Sequence, residues 1–436
     1  MFCCASIFPL KQDEDDSRTH GPRSLKREHA TTLPLPVRRF TRSTPLSAPA
    51  VSGSKGARHR TLLSSKVNAR IMDRTPHRRE KLLKAFKADQ IDALLISSPT
   101  NVRYLTGFTG DDSTLLLTRD RALVISDGRY TTQLKQECPS LELHIRPVGQ
   151  MMTGAIAEMI GKHEVHRLGF EPSALSVAEF ESLKQQAPST LEFVPVKNRV
   201  EDLRVLKDKE EVAEIREAIG MAERAFAMLR AGLRGQDSEK DTADALENYL
   251  RRCGASSASF PPIVAVGERS ALPHARPTAE KRIDQADFVL VDWGATASPY
   301  KSDLTRVLVT GKVTSKFEKV YRTVLAAQER GIAAIRPGVK ARDVDAEARS
   351  VIEDAGFGRF FTHGLGHGLG MDIHEAPALR KESGVTLQPG MVITVEPGIY
   401  LPGWGGIRIE DDVLVTPDGC EVLTHVPKSL DTVRVS

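Results

Sequence analysis

From about residue 73 to 200, short apolar runs alternate with stretches of helical periodicity. DALLIS (from Asp92), STLLLT (from Ser113), RALVIS (from Arg121), LELHI, HRLGF and LEFVPV read as strands bounded by turn residues. Apolar positions spaced three and four apart predict helices over 76–89, 151–162 and 176–187. Strands alternating with helices predict a small α/β domain. A polar stretch, Lys197 to Lys209, reads as the junction between this domain and a second one. Beyond it two long amphipathic helices are predicted, 209–231 and 237–252, then the strands PPIVAVG, FVLVD and DLTRVLV. A second helix pair over 315–335 and 342–355 precedes a strand-rich tail. Runs of strands interrupted by helix pairs predict an α+β domain, an antiparallel sheet covered by helices. The expected division is therefore 72–200 and 201–436.

Residues 1–71 fit neither domain. They hold no sustained periodicity, are rich in Ser, Thr, Pro and Arg, and bury too little apolar surface to offset the entropy of ordering them. The expectation is a disordered or over-called extension, with Met72 the first methionine after Met1. The acidic run Asp13–Asp16 fits a transit peptide poorly, and no long apolar stretch marks a secretory signal. This segment also explains the net charge of +4: it carries 13 basic and 5 acidic residues, which leaves 48 basic and 52 acidic elsewhere. The remainder is mildly acidic, so nucleic acid is not implied as a partner. No apolar run approaches the ~18 residues of a membrane span. Five scattered cysteines (Cys3, Cys4, Cys138, Cys253 and Cys420), without a Cys-x-x-Cys pair, argue against a disulfide framework or a thiolate zinc site. A reducing, cytoplasmic setting is the simplest expectation.

The chemistry concentrates between Val289 and Glu410. Asp292 ends the apolar run FVLVD, Asp303 opens SDLTRVLV, His367 lies in HGLGHGLG, Glu396 follows MVITV, and Glu410 falls in GIRIEDDV. A carboxylate at the end of a buried strand costs several kcal/mol unless something neutralises it. Four such carboxylates and one imidazole match the charge of two divalent cations. An oxygen-rich set with one imidazole and no thiolate suits Mn²⁺, Mg²⁺, Co²⁺ or Fe²⁺ better than a structural zinc. Two such ions would hold a bridging hydroxide near neutral pH and polarise a substrate oxygen. Asp292 and Asp303 are expected on a hairpin. Arg408, two residues from Glu410 on the same strand face, is expected to hold that carboxylate's free oxygen. His274, His363 and His374 fall on loops near these motifs and are candidates for steadying an oxyanion or moving a proton.

The ordered set Asp, Asp, His, Glu, Glu in the contexts VDWGA, SDLTR, GLGHGLG, VEPGIY and RIEDD resembles the pita-bread metallopeptidases, in particular their aminopeptidase P and prolidase branch. The likeness runs over roughly 73–436, and NVRYLTGFTGDDSTLLL with SDGRYTTQ resembles that branch's creatinase-type N-terminal domain. The resemblance implies a curved antiparallel pita-bread domain after a smaller α/β domain. It also implies two divalent ions, manganese first with Co²⁺, Zn²⁺ or Fe²⁺ as alternatives. By motif, Asp292 matches a bidentate ligand, Asp303 and Glu410 match bridging ligands, and His367 and Glu396 complete the second ion. Glu396 also assists proton transfer, His274 and His374 face the scissile carbonyl, His363 borders the proline pocket, and Arg408 supports the ligands. Glu375 stands where some members have aspartate, and it is not a ligand position. The implied activity is removal of an N-terminal residue from Xaa-Pro peptides by a homodimeric aminopeptidase, with short proline-containing peptides as substrates. The alternatives are a dipeptide-only prolidase or a non-catalytic binding protein on the same fold. Creatinases lack the full ligand set, and methionine aminopeptidases usually lack the N-terminal domain.

Overall fold

The structure, a computed structural model, describes residues 74–435. The expectations about residues 1–71 and Met72 lie outside the described residues. The first elements build a six-stranded sheet from β1 (Ala93–Ile96), β2 (Ser113–Thr118), β3 (Ala122–Asp127), β4 (Glu142–Arg146), β5 (Arg167–Phe170) and β6 (Glu192–Pro195), in the order β4-β3-β2-β1-β5-β6. Pairs β1–β2 and β2–β3 are antiparallel and the rest parallel. Each expected run forms a strand. The helices around them are α1 (Phe86–Asp89), α2 (Pro99–Thr106), α3 (Thr131–Glu137), α4 (Met152–Lys162) and α5 (Val177–Gln186). Ser98 caps α2 and Pro99 opens it, where its missing N–H costs nothing. The segment read as a junction contains a short helix of its own, α6 (Arg199–Val205).

Two long helices follow, α7 (Lys209–Gly232) and α8 (Glu239–Arg252), each opened by a reciprocal capping box, Asp208 with Glu211 and Ser238 with Asp241. Then come β7 (Ser257–Ala258), β8 (Ile263–Val266), β9 (Phe288–Trp293), β10 (Ala295–Ala297), β11 (Tyr300–Lys301) and β12 (Leu304–Val309). The second helix pair is α9 (Ser315–Ala334) and α10 (Ala341–Asp354). The tail adds β13 (Gly366–Gly368), β14 (Glu375–Leu379), β15 (Val392–Val395), β16 (Gly398–Leu401), β17 (Gly405–Arg408), β18 (Asp411–Thr416) and β19 (Gly419–Val422). All pairings among β7–β19 are antiparallel.

Period-two alternation sorts β9. Val289, Val291 and Trp293 enter the core formed with α7 and α8, while Phe288 and Leu290 join the core of α9, α10, β15 and β18. Trp293 stacks on Phe226 of α7 at 4.1 Å between ring centres, and its indole N–H donates to the Ala222 carbonyl at 3.0 Å. Asp292 therefore follows Leu290 in parity but stands where the apolar packing gives way to a cavity. The chain is a mixed α/β and antiparallel structure of the class its sequence pattern predicts.

Candidate metal centre

β9 and β12 pair with Thr305 opposite Asp292, so Asp303, just before β12, comes up beside Asp292 as the hairpin reading requires. Between the two strands the chain makes the extra β10–β11 ribbon rather than a simple turn. An isolated bridge between Thr305 and Glu410 brings the third carboxylate to the same point. His367 occupies the middle of β13, a strand packed so closely that a Cβ on Gly368 would lie 2.1 Å from the Ala376 carbonyl oxygen. Glu396 follows β15 and its N–H donates to Leu365 beside β13. All nine sequence-predicted residues, His274, Asp292, Asp303, His363, His367, His374, Glu396, Arg408 and Glu410, line one cavity of about 500 Å³.

The His367 ring is oriented by its neighbours: Nδ1 donates to the Gly368 carbonyl at 3.0 Å, which leaves Nε2 facing Glu396 Oε1 at 3.4 Å and Asp303 Oδ2 at 3.7 Å. Donor atoms of Asp303, His367 and Glu410 all lie within 4.8 Å of one another. Asp292 and Glu396 border that trio across the same cavity. Burial, joined by the charges of Glu410, Asp292, Asp412 and Glu396, pushes the Asp303 carboxyl well above its usual range. Glu410 is pushed up in the same way by burial and by Glu396 and Asp292. Glu396 and Asp292 are raised by burial, against the pull of Arg408 on both and of His363 on Glu396. Asp292 Oδ1 is buried without a hydrogen-bond partner. Mutually repelling carboxylates, one with an orphaned oxygen, fit divalent cations and little else.

Arg408 departs from expectation. It does not bond the Glu410 carboxylate. Its Nη2 donates to Asp292 Oδ2, its Nη1 to Tyr400 Oη at 2.9 Å, and its Nε to Thr305 Oγ1 at 3.0 Å. Thr305 in turn donates to Glu410 Oε2 at 2.6 Å. The reason is the chain path: β17 ends at Arg408, so Arg408 and Glu410 do not share one regular strand, and Thr305 fills the gap. Thr305 and Tyr400 were not singled out by sequence. A hydroxyl two places after Asp303 and a tyrosine in VEPGIY carry no spacing signal by themselves.

The remaining histidines surround the cluster. His363 Nδ1 donates to the Gly364 carbonyl at 2.8 Å and its Nε2 pairs with the Tyr400 hydroxyl at 2.9 Å; burial lowers its pKa. His374 stands edge-on to His367, ring centres 4.4 Å apart, and burial, with His367 and His274 nearby, lowers its pKa too. His274 is exposed at the cavity mouth. Phe260, Pro261, Pro262, Ile263, Pro273 and Ile373 supply an apolar wall.

Residues 213–417 match metallopeptidase family M24, and residues 78–206 match the creatinase/prolidase N-terminal domain. An Xaa-Pro dipeptidase of Pyrococcus furiosus is 36% identical over 363 residues, 81% of this chain and 99% of that protein. The chain belongs to metallopeptidase family M24. Within M24, the solved structure of an Xaa-Pro dipeptidase from Bacillus anthracis superposes with a TM-score of 0.78 at 38% identity, covering 82% of this chain and 99% of that one. An X-Pro aminopeptidase from Thermotoga maritima gives a TM-score of 0.73 at 36% identity, covering 79% and 99%. Membership of M24 makes the chain a metallopeptidase and accounts for the carboxylate cluster: the family implies divalent metal ions. Among the described residues, no helix is long and apolar enough to cross a membrane.

Proposed function

We propose that this chain is a two-metal exopeptidase that hydrolyses Xaa-Pro dipeptides. The observation that carries the reading is the group of four carboxylates and His367, with Asp292, Asp303 and Glu410 buried and Glu396 and His367 half-buried, in one cavity with an apolar wall. Asp292, Asp303, His367, Glu396 and Glu410 would hold the ions. When bound, two divalent cations supply Lewis acidity and lower the pKa of water. The chain's own residues do the rest. Glu396 takes a proton from the attacking water and delivers one to the departing proline nitrogen, which as a tertiary amide has none. His274 and His374 face the scissile carbonyl and donate to its oxygen as charge builds there. His363, fixed by Tyr400 and Gly364, borders the site of the proline ring.

The sequence points first to an aminopeptidase that removes the N-terminal residue of short Xaa-Pro peptides, not restricted to dipeptides. Dipeptides take precedence because similar proteins from Pyrococcus furiosus and Bacillus anthracis are Xaa-Pro dipeptidases, while the Thermotoga maritima protein keeps the aminopeptidase in second place. The family resemblance carries manganese, a homodimer and a cytoplasmic setting into the same proposal.

The test is a chelate-and-restore assay on Ala-Pro and Ala-Pro-Ala with Mn²⁺, Co²⁺ or Zn²⁺ added back. Restored cleavage of Ala-Pro, lost in Glu410→Ala, is expected. Preferred cleavage of the tripeptide would return the aminopeptidase reading, and turnover surviving complete metal removal would sink both. Metal uptake without turnover of either peptide would favour a binding protein.

A further inference from the structure

We propose that Arg204, backed by Lys207, is a positioning residue that fixes where His374 stands in the cavity. The inference rests on the reading of His374 as a group facing substrate. Among the described residues the His374 imidazole makes no hydrogen bond; its one side-chain contact of defined geometry is the edge approach to His367. Its position is therefore set by the backbone on either side, from Asp372 to Glu375.

That backbone is gripped from the other end of the sequence. Arg204, in α6, donates from Nη2 to Asp372 Oδ2 at 2.6 Å and to Glu375 Oε1. Lys207 Nζ donates to Glu375 Oε2 at 3.1 Å, and Thr100 Oγ1 donates to Asp372 Oδ1 at 2.9 Å. The Asp372 N–H closes the turn onto Glu375 Oε1 at 3.0 Å. The side chains of Arg204, Lys207 and Glu375 are 4%, 1% and 6% exposed, so the bonds to Glu375 form away from solvent screening, while Asp372 is 46% exposed. Two cations meet two carboxylates, and the charges balance. The guanidinium is itself aimed: Nη1 donates to Asn101 Oδ1 at 2.8 Å, while Asn101 Nδ2 donates to Glu171 and Glu201. At Gly370 a Cβ would stand 2.6 Å from Glu375 Oε2, so the turn folds directly over this carboxylate.

His374 separates two spaces. One is the cavity of the carboxylate cluster; the other, about 230 Å³, is walled by Glu201, Arg204, Asp372 and Glu375. Arg204 thus works from behind His374, on the side opposite substrate. The segment that reads as a mere junction in the sequence carries the support for a residue of the site. A planar guanidinium can hold two carboxylates at fixed angles where an ammonium holds one point.

The test compares Arg204→Lys, Arg204→Gln, Thr100→Val and His374→Ala in the full-length, metal-loaded enzyme on Ala-Pro. Arg204→Gln is expected to lower kcat by about 10–100-fold, a cost typical of a misplaced catalytic group, with little change in KM. Bound metal per chain should stay at the wild-type level. In the His374→Ala background the same substitution should cost less than about twofold. Independently of activity, the imidazole NMR signals of His374, assigned by their loss in His374→Ala, should move or broaden in Arg204→Gln. Should Arg204→Gln fail to fold, Arg204→Lys and Thr100→Val provide the same comparison with milder loss. Additive losses in the double variant, unmoved His374 signals, or loss of bound metal would overturn the proposal. Wild-type turnover by His374→Ala would instead remove the catalytic reading of His374, leaving the NMR shift to decide the positioning claim.

Discussion

At the scale of the residue, Thr305 is a small side chain behind the site and one of the most connected. It receives a hydrogen bond from Arg408 and gives one to Glu410, so a single hydroxyl links the arginine that holds Asp292 to a second carboxylate. Thr305→Val keeps the shape and removes the hydroxyl, leaving Arg408 Nε and Glu410 Oε2 unsatisfied in a site where Thr305 is fully buried. Partners of metal-binding groups are typically worth 10–100-fold in metal affinity. Thr305→Val should therefore weaken Mn²⁺ binding by about that factor, measured by calorimetric titration of the chelated protein. Unchanged affinity would mean that Glu410 is held without this relay. Asp303→Asn makes the opposite kind of case. Burial and its carboxylate neighbours already favour the neutral form of Asp303, so the neutral amide should raise the Tm of the chelated protein. The same variant should show little further rise on adding Mn²⁺. A lower Tm in the chelated variant would show that the cluster is not electrostatically strained.

At the scale of the element, legibility in the sequence tracks the length and period of each segment. The six apolar runs before residue 197 and the long helices Lys209–Gly232 and Ser315–Ala334 stand out because many apolar positions repeat at one spacing. The helices Pro99–Thr106 and Arg199–Val205 do not: they have only 8 and 7 residues, too few for a period to emerge. The nine site residues were legible because their motifs are local. Their supports were not, since Thr305 to Glu410 and Arg204 to Glu375 are contacts made across more than a hundred residues of chain. Helix Lys209–Gly232 also hides a buried polar device in its apolar stripe. Glu211 bonds Arg78 at 2.7 Å and Tyr300 Oη at 2.5 Å, and Glu214 bonds Arg74 at 2.8 Å. Burial pushes the Glu214 carboxyl up to about 7, although Arg74 pulls it down. The stabilisation from keeping Glu214 protonated is complete below its ordinary value of 4.5 and is lost as pH rises through about 7. Glu214→Gln, which cannot ionise, should gain stability over the wild type by about 1–3 kcal/mol between pH 5 and pH 8, read from urea unfolding. A difference that stays flat across that range would refute the assignment.

At the scale of the whole molecule, the site is assembled from strands that belong to different sheets. Asp292 comes from the β8–β9–β12 sheet and Asp303 from the residue just before β12, His367 from the five-stranded sheet of β13–β15, β18 and β19, and Arg408 from the β16–β17 ribbon. On the proposed ligand set, a cation held by Asp292, Asp303 and His367 would tie two of these sheets together, so its binding would add to the stability of this part of the chain. A ligand at a hundred times its dissociation constant stabilises the native state by about 2.7 kcal/mol. The size of the gain should depend on pH, and the sign comes from the carboxylates. In the chelated protein Asp303 and Glu410 are both pushed above their ordinary values of 3.8 and 4.5. The stability associated with their protonated forms is fully present below those values and drains away as pH rises. In the loaded protein the cations take the place of the protons, and that loss disappears. Tm with Mn²⁺ minus Tm with chelator should thus widen steadily from pH 5 to pH 8. The widening should vanish in Asp303→Asn/Glu410→Gln, where neither side chain can ionise. A Tm difference that narrows toward alkaline pH in the wild-type chain, or one that survives intact in the double variant, would place the stabilising cations somewhere other than this cluster.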